Sequence, residues 1–325
     1  MQVMQAITQG VILAAGNGKR LKPFTLNRSK AMAPILGKPI VARVLDTLLV
    51  NGIQDIAIVV SPTDQEIQDY FSSGVTGYSG CKITFVYQLE KLGMAHALGC
   101  AKAFIHGPFI MTACDSLVKA EHITELLTTH VVTEASVTLS LKKVKDEEIA
   151  KRAIVQFDDA GKVVKIVEKP TLEEAPSRMG SLPLYVFNQE IMEIIPTIQL
   201  SKRGEYEIQD GIQMLIQKYG FASGVITDYR VELTDVNDLL AINLKFLTAE
   251  APEGLVDSPV PQSTRLIQPV KIDKEVAVGE RAVIGPCVYL ESGSTVGDGA
   301  VVDHALVLRG SSVGAGEHKA QVVLL

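Results

Sequence analysis

Near its carboxyl end the chain carries seven aliphatic residues six apart without a break: Ile272, Val278, Ile284, Leu290, Val296, Val302 and Leu308. In a sequence that is 47% hydrophobic, such a run in one phase arises by chance in about half a per cent of cases. Three of the seven are followed by glycine (Gly279, Gly285, Gly297), and the phase slips by one near Val313 and Gly314. A fixed short period marks a stack of equal units, each touching only its neighbours. So short a stack buries little surface alone, and it is expected to pack on the rest of the chain or on a neighbouring subunit. Ahead of it, residues 248–269 carry Pro252, Pro259, Pro261 and Pro269 with little periodicity, the pattern of a linker.

The first half of the chain alternates strand and helix patterns. Residues 11–13, 56–60, 83–87 and 109–111 read as buried strands. Residues 40–51 read as a helix stopped by Gly52, Ser61-Pro62-Thr63-Asp64 opens a helix to residue 71, and residues 94–104 form another. This order predicts a mostly parallel sheet covered on both faces. Ligands bind such sheets at the carboxyl ends of the strands. The loop after Leu13, Gln88 and Asp115 all follow strand ends, so the pattern alone brings them together. From residue 136 the pattern is mixed. Residues 136–141, 153–157 and 163–168 read as strands, with Asp158-Asp159-Ala160-Gly161 as a hairpin turn. Helices are expected within 204–219 and over 235–247. Residues 1–247 then form one α/β domain, 248–269 the linker and 270–325 the repeat.

A net charge of −6 argues against a nucleic-acid surface, so basic residues should act locally. Cys81, Cys100, Cys114 and Cys287 have neither metal spacing nor a disulfide framework and read as buried thiols in a reducing compartment. Met1–Ala6 has no basic region, and no apolar stretch approaches a membrane span. A cytoplasmic protein with no nucleic-acid or membrane partner is expected.

The strongest chemical signal is Gly10-Val11-Ile12-Leu13-Ala14-Ala15-Gly16-Asn17-Gly18-Lys19-Arg20-Leu21, with Lys30 ten residues past Arg20. A short strand runs into small residues and two glycines. Glycine lets main-chain N–H groups approach phosphate oxygens and tolerates positive φ. Arg20 and Lys30 add the charge that phosphates need. The loop lacks the third glycine of the dinucleotide fingerprint and the Gly-Lys-Ser/Thr ending of a P-loop.

Gly16-x-Gly18-x-Arg20-Leu21-x-Pro23-x-Thr25, followed by Lys30-Ala31-Met32-x-Pro34-Ile35-x-Gly37-Lys38-Pro39-Ile40, resembles the start of the sugar-1-phosphate nucleotidyltransferases. The closest likeness is to the long-type glucose-1-phosphate thymidylyltransferases, from about Gly10 to Asn243 and more weakly beyond. The resemblance implies a Rossmann-like, mostly parallel or mixed sheet domain. The six-residue period resembles the hexapeptide repeat of a left-handed parallel β-helix, whose coils turn three corners and stack aliphatic side chains inward. Only about two coils fit, and a homo-oligomer is expected.

The implied reaction is an in-line attack of a sugar-1-phosphate oxygen on the α-phosphorus of UTP or dTTP, with pyrophosphate leaving. It needs positioning, cations and an oxygen-ligated Mg²⁺, and no side-chain nucleophile. By resemblance, Ala14, Ala15, Gly16 and Gly18 cradle the nucleotide, Arg20 holds the β- and γ-phosphates, and Lys30 contacts phosphate between donor and acceptor. Gln88 is able to donate and accept one bond each on the imide edge of uracil or thymine, and Gly93 lets main chain approach the base. His96 reads equally as packing or function. Asp115 resembles the metal-binding aspartate, with Glu232 aligned to the second ligand and Asp235 a helix cap. Glu168-Lys169-Pro170 matches the sugar site: Glu168 accepts from hydroxyls, Lys169 pairs with the sugar phosphate, and Ala153 lies on the sugar side. The segment Gly204–Asp210 reads as structural.

Several departures from the family pattern lie together. Ala153 and Pro183 replace glycines, Arg178 an asparagine and Arg230 a tryptophan; Cys114 replaces a small residue and Glu232 an aspartate. The triphosphate side is intact. Plain glucose-1-phosphate is therefore expected to be a poor acceptor, and a smaller or negatively charged sugar phosphate a better one. A non-catalytic homologue that binds nucleotide or sugar phosphate is the alternative. A hexapeptide acyltransferase is a third class, with only His304 and His318 in the repeat to serve it.

Overall fold

The apolar runs of the first half do form strands, and they pair in a single sheet. The computed structural model describes residues 7–74 and 77–325; Met1–Ala6, read above for a leader, lie outside them. In chain order the elements are β1 (Gln9–Leu13), α1 (Ile40–Leu49), β2 (Asp55–Val60), α2 (Gln65–Ser72), β3 (Lys82–Tyr87), α3 (Met94–Cys100), β4 (Phe109–Ala113), α4 (Ala120–Thr133), β5 (Val137–Lys143), β6 (Ala153–Phe157), β7 (Val163–Glu168), β8 (Met179–Phe187), α5 (Ile208–Tyr219) and β9 (Ser223–Ile226). The helix expected over 94–104 breaks at Ala101 into α3 and a separate tight turn, Lys102–Phe104.

The sheet has nine strands in the order β7-β6-β8-β4-β1-β2-β3, with β5 on β8 and β9 on β5. Strands β4, β1, β2 and β3 run parallel, so their carboxyl ends share one edge. β8 runs antiparallel to β4 and begins at that same edge. There Ser181 pairs with Ala153, and Ala153 with Glu168 at the end of β7. The alternation of buried strands and amphipathic helices thus carries candidates from five strands to one rim. Phe109 and Phe187, 5.8 Å apart between ring centroids, and Tyr185 fill the core beneath it.

The chain divides into two compact units. The larger comprises residues 1–17 and 41–231 and holds the sheet; the smaller comprises residues 18–40 and 232–325. In the smaller unit α6 (Val236–Glu250) starts at Asp235, whose side chain accepts from the N–H groups of Asn237 and Asp238, the cap expected there.

After α6 come twelve short strands in three stacked parallel sheets of five, four and three strands. Three strands per turn make about four turns, where two were expected. The stretch expected to be a linker carries the first turn: Leu255–Val256 pairs with Val270–Ile272, and Arg265–Leu266 with Val283–Ile284. Its prolines interrupt periodicity without preventing two-residue strands, which need few ladder bonds. The aliphatic residues point into a dry core of Ile272, Ile284, Leu290, Val296 and Val302.

The phase slips earlier than the sequence suggests. The turn shortens from 18 residues, Arg265 to Val283, to 17, Val288 to Ala305. His304 (φ 44°) alone spans the corner that Pro286 and Cys287 (φ 59°) span one turn before. Val307, not Leu308, therefore stacks on Leu290.

Candidate functional site

Within the larger unit, strand register gathers the candidates. Leu13 lies opposite Val59 and Ala113, and Val60 opposite Tyr87. The residues that follow these ends, Ala14–Gly16, Gln88 and Asp115, come to the same rim. The loops are pinned to the sheet, since Ala14 N donates to Val59 O at 2.8 Å and Cys114 N to Leu13 O at 3.1 Å. Ala14 and Ala15 are buried, while Gly16 is exposed. A Cβ on Gly16 would meet nothing within 4 Å. Gly16 is outside the left-handed region, so it is not the turn that asks for a glycine there. Exposed and without a side chain, Gly16 lets a ligand approach the main chain. Asp115 stands half-buried in the turn after β4.

Gln88 is only 4% exposed, and its amide is already held. Nε2 lies 3.3 Å from Gly93 O, to which it donates, and 3.0 Å from His96 Nδ1. Both N–H groups are thereby committed inside the protein, and Oε1 is left to accept. The two-way bond expected for Gln88 reduces to an acceptor. His96, read equally as packing or function, contacts the Gln88 amide through Nδ1, and its ring stacks at 6.4 Å on Tyr206. Gly93 adopts φ +103°, with Tyr206 main chain so close that no Cβ fits.

At the far end of the rim Glu168 is paired twice. Arg203 Nη2 lies 3.2 Å and Lys169 Nζ 3.4 Å from its Oε1. Lys169 sits at φ +46°, left-handed for a residue with a side chain, a strain that recurs where a side chain must be aimed. Arg203 is anchored from behind by buried Glu207, at 2.6 Å. Burial pushes the Glu168 carboxyl up to about 7; Arg203 pulls the other way, and Glu207, Asp210 and Glu205 reinforce the rise. Arg203 escaped the sequence reading because its segment carried only structural expectation; the signal was the charged run Arg203-Gly204-Glu205-Tyr206-Glu207.

The pH consequence has a definite sign. The folded state binds the Glu168 proton more tightly than the unfolded chain does. Its contribution to stability is therefore full below the ordinary value of 4.5 and is lost as pH rises toward 7. Glu168→Gln, which cannot ionise, is expected to gain on the parent between pH 5 and pH 8 by up to about 3 kcal/mol. Urea unfolding of both proteins across that range checks it, and a pH-independent difference would contradict the assignment.

Within the smaller unit, Gly18 takes φ +54° and starts the turn Lys19–Leu21, which exposes Arg20 and buries Leu21. Thr25 Oγ1 donates to Gly18 O at 2.9 Å. A Cβ on Gly18 would stand 2.8 Å from Thr25 Cγ2 and 3.1 Å from Lys30 Cβ. The glycine turn thus rests on the base of Lys30, which opens the turn Lys30–Met32. Glu232 is half-buried at the start of this unit's second segment. Ala14, Ala15, Gly16, Gln88, Gly93, Asp115, Ala153, Glu168 and Lys169 therefore share the larger unit, and Gly18, Arg20, Lys30 and Glu232 the smaller.

Two departures from the family pattern have local partners or places in the fold. Arg178, one of the two arginines at such positions, pairs with Asp146 on the surface. Pro183 falls between Ser181 and Tyr185, where the pairing of β8 with β5 shifts register, a place where a strand tolerates proline. Ala153 is buried, and Arg230 donates from Nε to Ser116 Oγ at 3.0 Å.

Comparison with known proteins places this chain beside a family, three relatives and a solved structure. The family model described as nucleotidyl transferase matches residues 9–246. The low-salt glycan biosynthesis nucleotidyltransferase Agl11 of Haloferax volcanii is 31% identical over 72% of this chain, which spans 65% of it. The UTP–glucose-1-phosphate uridylyltransferase AglF of the same organism is 31% identical over 64% of this chain and 84% of its own length. The glucose-1-phosphate thymidylyltransferase of Streptomyces griseus is 28% identical over 94% of this chain and 88% of its own. Among solved structures, a UDP-glucose pyrophosphorylase complexed with UDP-glucose superposes with a TM-score of 0.68 at 22% identity, covering 75% of this chain and all of that one.

Proposed function

The chain belongs to the nucleotidyl transferase family, and from that premise we propose that it moves a nucleotidyl group from UTP or dTTP to a sugar-1-phosphate, releasing pyrophosphate. The observation that carries this reading is the order of groups along the rim of the larger unit. An acceptor for an imide N–H (Gln88 Oε1) stands at one end, open main chain (Gly16) in the middle, and a hydroxyl acceptor beside cations (Glu168, Lys169, Arg203) at the other.

In the proposed reaction a sugar-phosphate oxygen bonds to the α-phosphorus as the bond to the bridging oxygen of pyrophosphate breaks, with no covalent enzyme intermediate. Main-chain N–H groups of Ala14 to Gly16 and Gly18 orient the triphosphate, Arg20 neutralises charge growing on pyrophosphate, and Lys30 and Lys169 hold the reacting phosphates. Glu168 fixes the sugar through its hydroxyls. Asp115 and Glu232 offer the hard oxygens that Mg²⁺ takes. Among the described residues no cluster of three or more His, Cys, Asp or Glu is placed to hold a metal. Bound there, Mg²⁺ supplies charge neutralisation and in-line orientation.

The proposal extends to residues 1–247 as the catalytic part, to left-handed winding of the C-terminal coil, to a homo-oligomer and to the cytoplasm. Among the described residues no helix is long and apolar enough to cross a membrane. The test is a pyrophosphate-release screen of nucleoside triphosphates against glucose-, amino-sugar- and uronic-acid-1-phosphates with Mg²⁺. Turnover confined to UTP or dTTP is expected. Release with no pair, while UTP still binds, would favour the non-catalytic alternative; preference for ATP or GTP would refute the base assignment.

A further inference from the structure

The segment that carries Arg20 and Lys30 belongs to the same unit as the β-helix, and β-helix side chains hold it. Glu291, just past the strand Val288–Leu290, receives Arg28 Nη1 on both carboxylate oxygens, at 2.9 and 3.1 Å. The two side chains are 16% and 5% exposed, so this is no solvated surface pair. Arg28 Nη2 donates onward to Met32 O at 3.2 Å, closing the turn that begins at Lys30. The Arg28 guanidinium also lies 5.2 Å over the Phe24 ring. Glu291 is itself fixed from the next turn of the coil, where Arg309 N donates to Oε2 at 2.9 Å.

Two further ties act in parallel. Leu36 N donates to Asn243 Oδ1 at 2.9 Å, and Asn243 Nδ2 returns a bond to Pro34 O at 3.0 Å. At Gly37 a Cβ would stand 3.1 Å from Asp273 Oδ1, and Asp273 is held by Tyr289 OH at 2.7 Å and Lys271 Nζ at 3.0 Å. The segment is fastened along its length, and the Glu291–Arg28 tie reaches the turn of Lys30. From there the contact passes through Lys30 Cβ to Gly18, and so to the turn that presents Arg20.

We propose that Glu291 is a positioning residue for the nucleotide-phosphate loop, so that affinity for the triphosphate is set from the β-helix. The inference rests on the reading of Arg20 and Lys30 as triphosphate contacts. Loss of the Glu291 charge removes the carboxylate that accepts twice from Arg28 Nη1 in a largely buried place. Arg28 then re-aims, and the Met32 carbonyl loses its donor.

The test compares Glu291→Gln, Arg28→Lys and the charge-swapped double variant Arg28→Glu/Glu291→Arg with the parent protein. In Glu291→Gln the KM for UTP is expected to rise about tenfold, with the KM for the sugar-1-phosphate unchanged. Restoration by the double variant supports the coupling. A merely structural residue would lower Tm and the active fraction and leave both KM values alone, and that result overturns the proposal. An equal rise in both KM values overturns it too. Should Glu291→Gln fail to fold, Arg28→Lys keeps the charge, loses the two-pronged bond, and reads the same split. If instead the underlying reading is wrong, Arg20→Ala and Lys30→Ala leave the UTP KM unmoved, which distinguishes the two failures.

Discussion

Replacing Gly93 by alanine is expected to cost about 3 kcal/mol or more and to abolish selective binding of a pyrimidine nucleotide. The residue sits at φ +103° and ψ 177°, a region that residues with a side chain scarcely visit. A Cβ there would stand 2.7 Å from Tyr206 O and 2.9 Å from Tyr206 N. Neither atom can yield: Tyr206 N donates to Leu92 O at 2.7 Å, and Ala95 N donates to Tyr206 O at 3.1 Å. Relief comes only by moving the loop, and that moves the carbonyl which holds Gln88 Nε2. Urea unfolding measures the first effect and UTP calorimetry the second. A loss below about 0.5 kcal/mol, the usual scatter for harmless surface changes, would show that the loop adapts freely.

The second large effect is expected at Asp115. Asp115→Asn keeps the size of the side chain and removes a hard anionic oxygen from a half-buried turn pinned to β1 through Cys114. If Asp115 holds Mg²⁺, turnover falls at least about a hundredfold, since transition-state charge is then poorly neutralised. The thermal midpoint should stay within about 2 °C, because no core contact is lost. Partial recovery at high Mg²⁺ is part of the expectation. Unchanged turnover at limiting Mg²⁺ would remove Asp115 from the metal site.

The parts of the molecule that were legible in advance are those governed by period and by local turn chemistry. Alternating buried runs gave β1 to β4 and their shared rim, and Asp235 announced itself as a cap. The six-residue period exposed the coil, although its first turn hid among prolines and its slip lay a corner earlier, at His304. Pairings across long sequence separations were not legible. Nothing local says that Arg203 reaches Glu168 or that Arg178 turns to Asp146. Such contacts depend on where the sheet order places distant strands, and side-chain type alone does not encode that. The glycines show the same division: Gly18 and Gly93 are fixed by positive φ, whereas neither its φ nor its neighbours require a glycine at Gly16.

The Arg28–Glu291 bond also has a history in time. Its partners are 263 residues apart in the chain. At translation rates of 5–20 residues per second, Arg28 is added to the chain roughly 13 to 53 s before Glu291. Through that interval the nascent chain displays its most cationic signature without the acid that orients it. The smaller unit cannot close until Glu291 has been made. On the coupling proposed here, a chain that stops before Glu291 would carry the nucleotide motif and still grip the nucleotide poorly, so that competence waits on a segment made long after the motif.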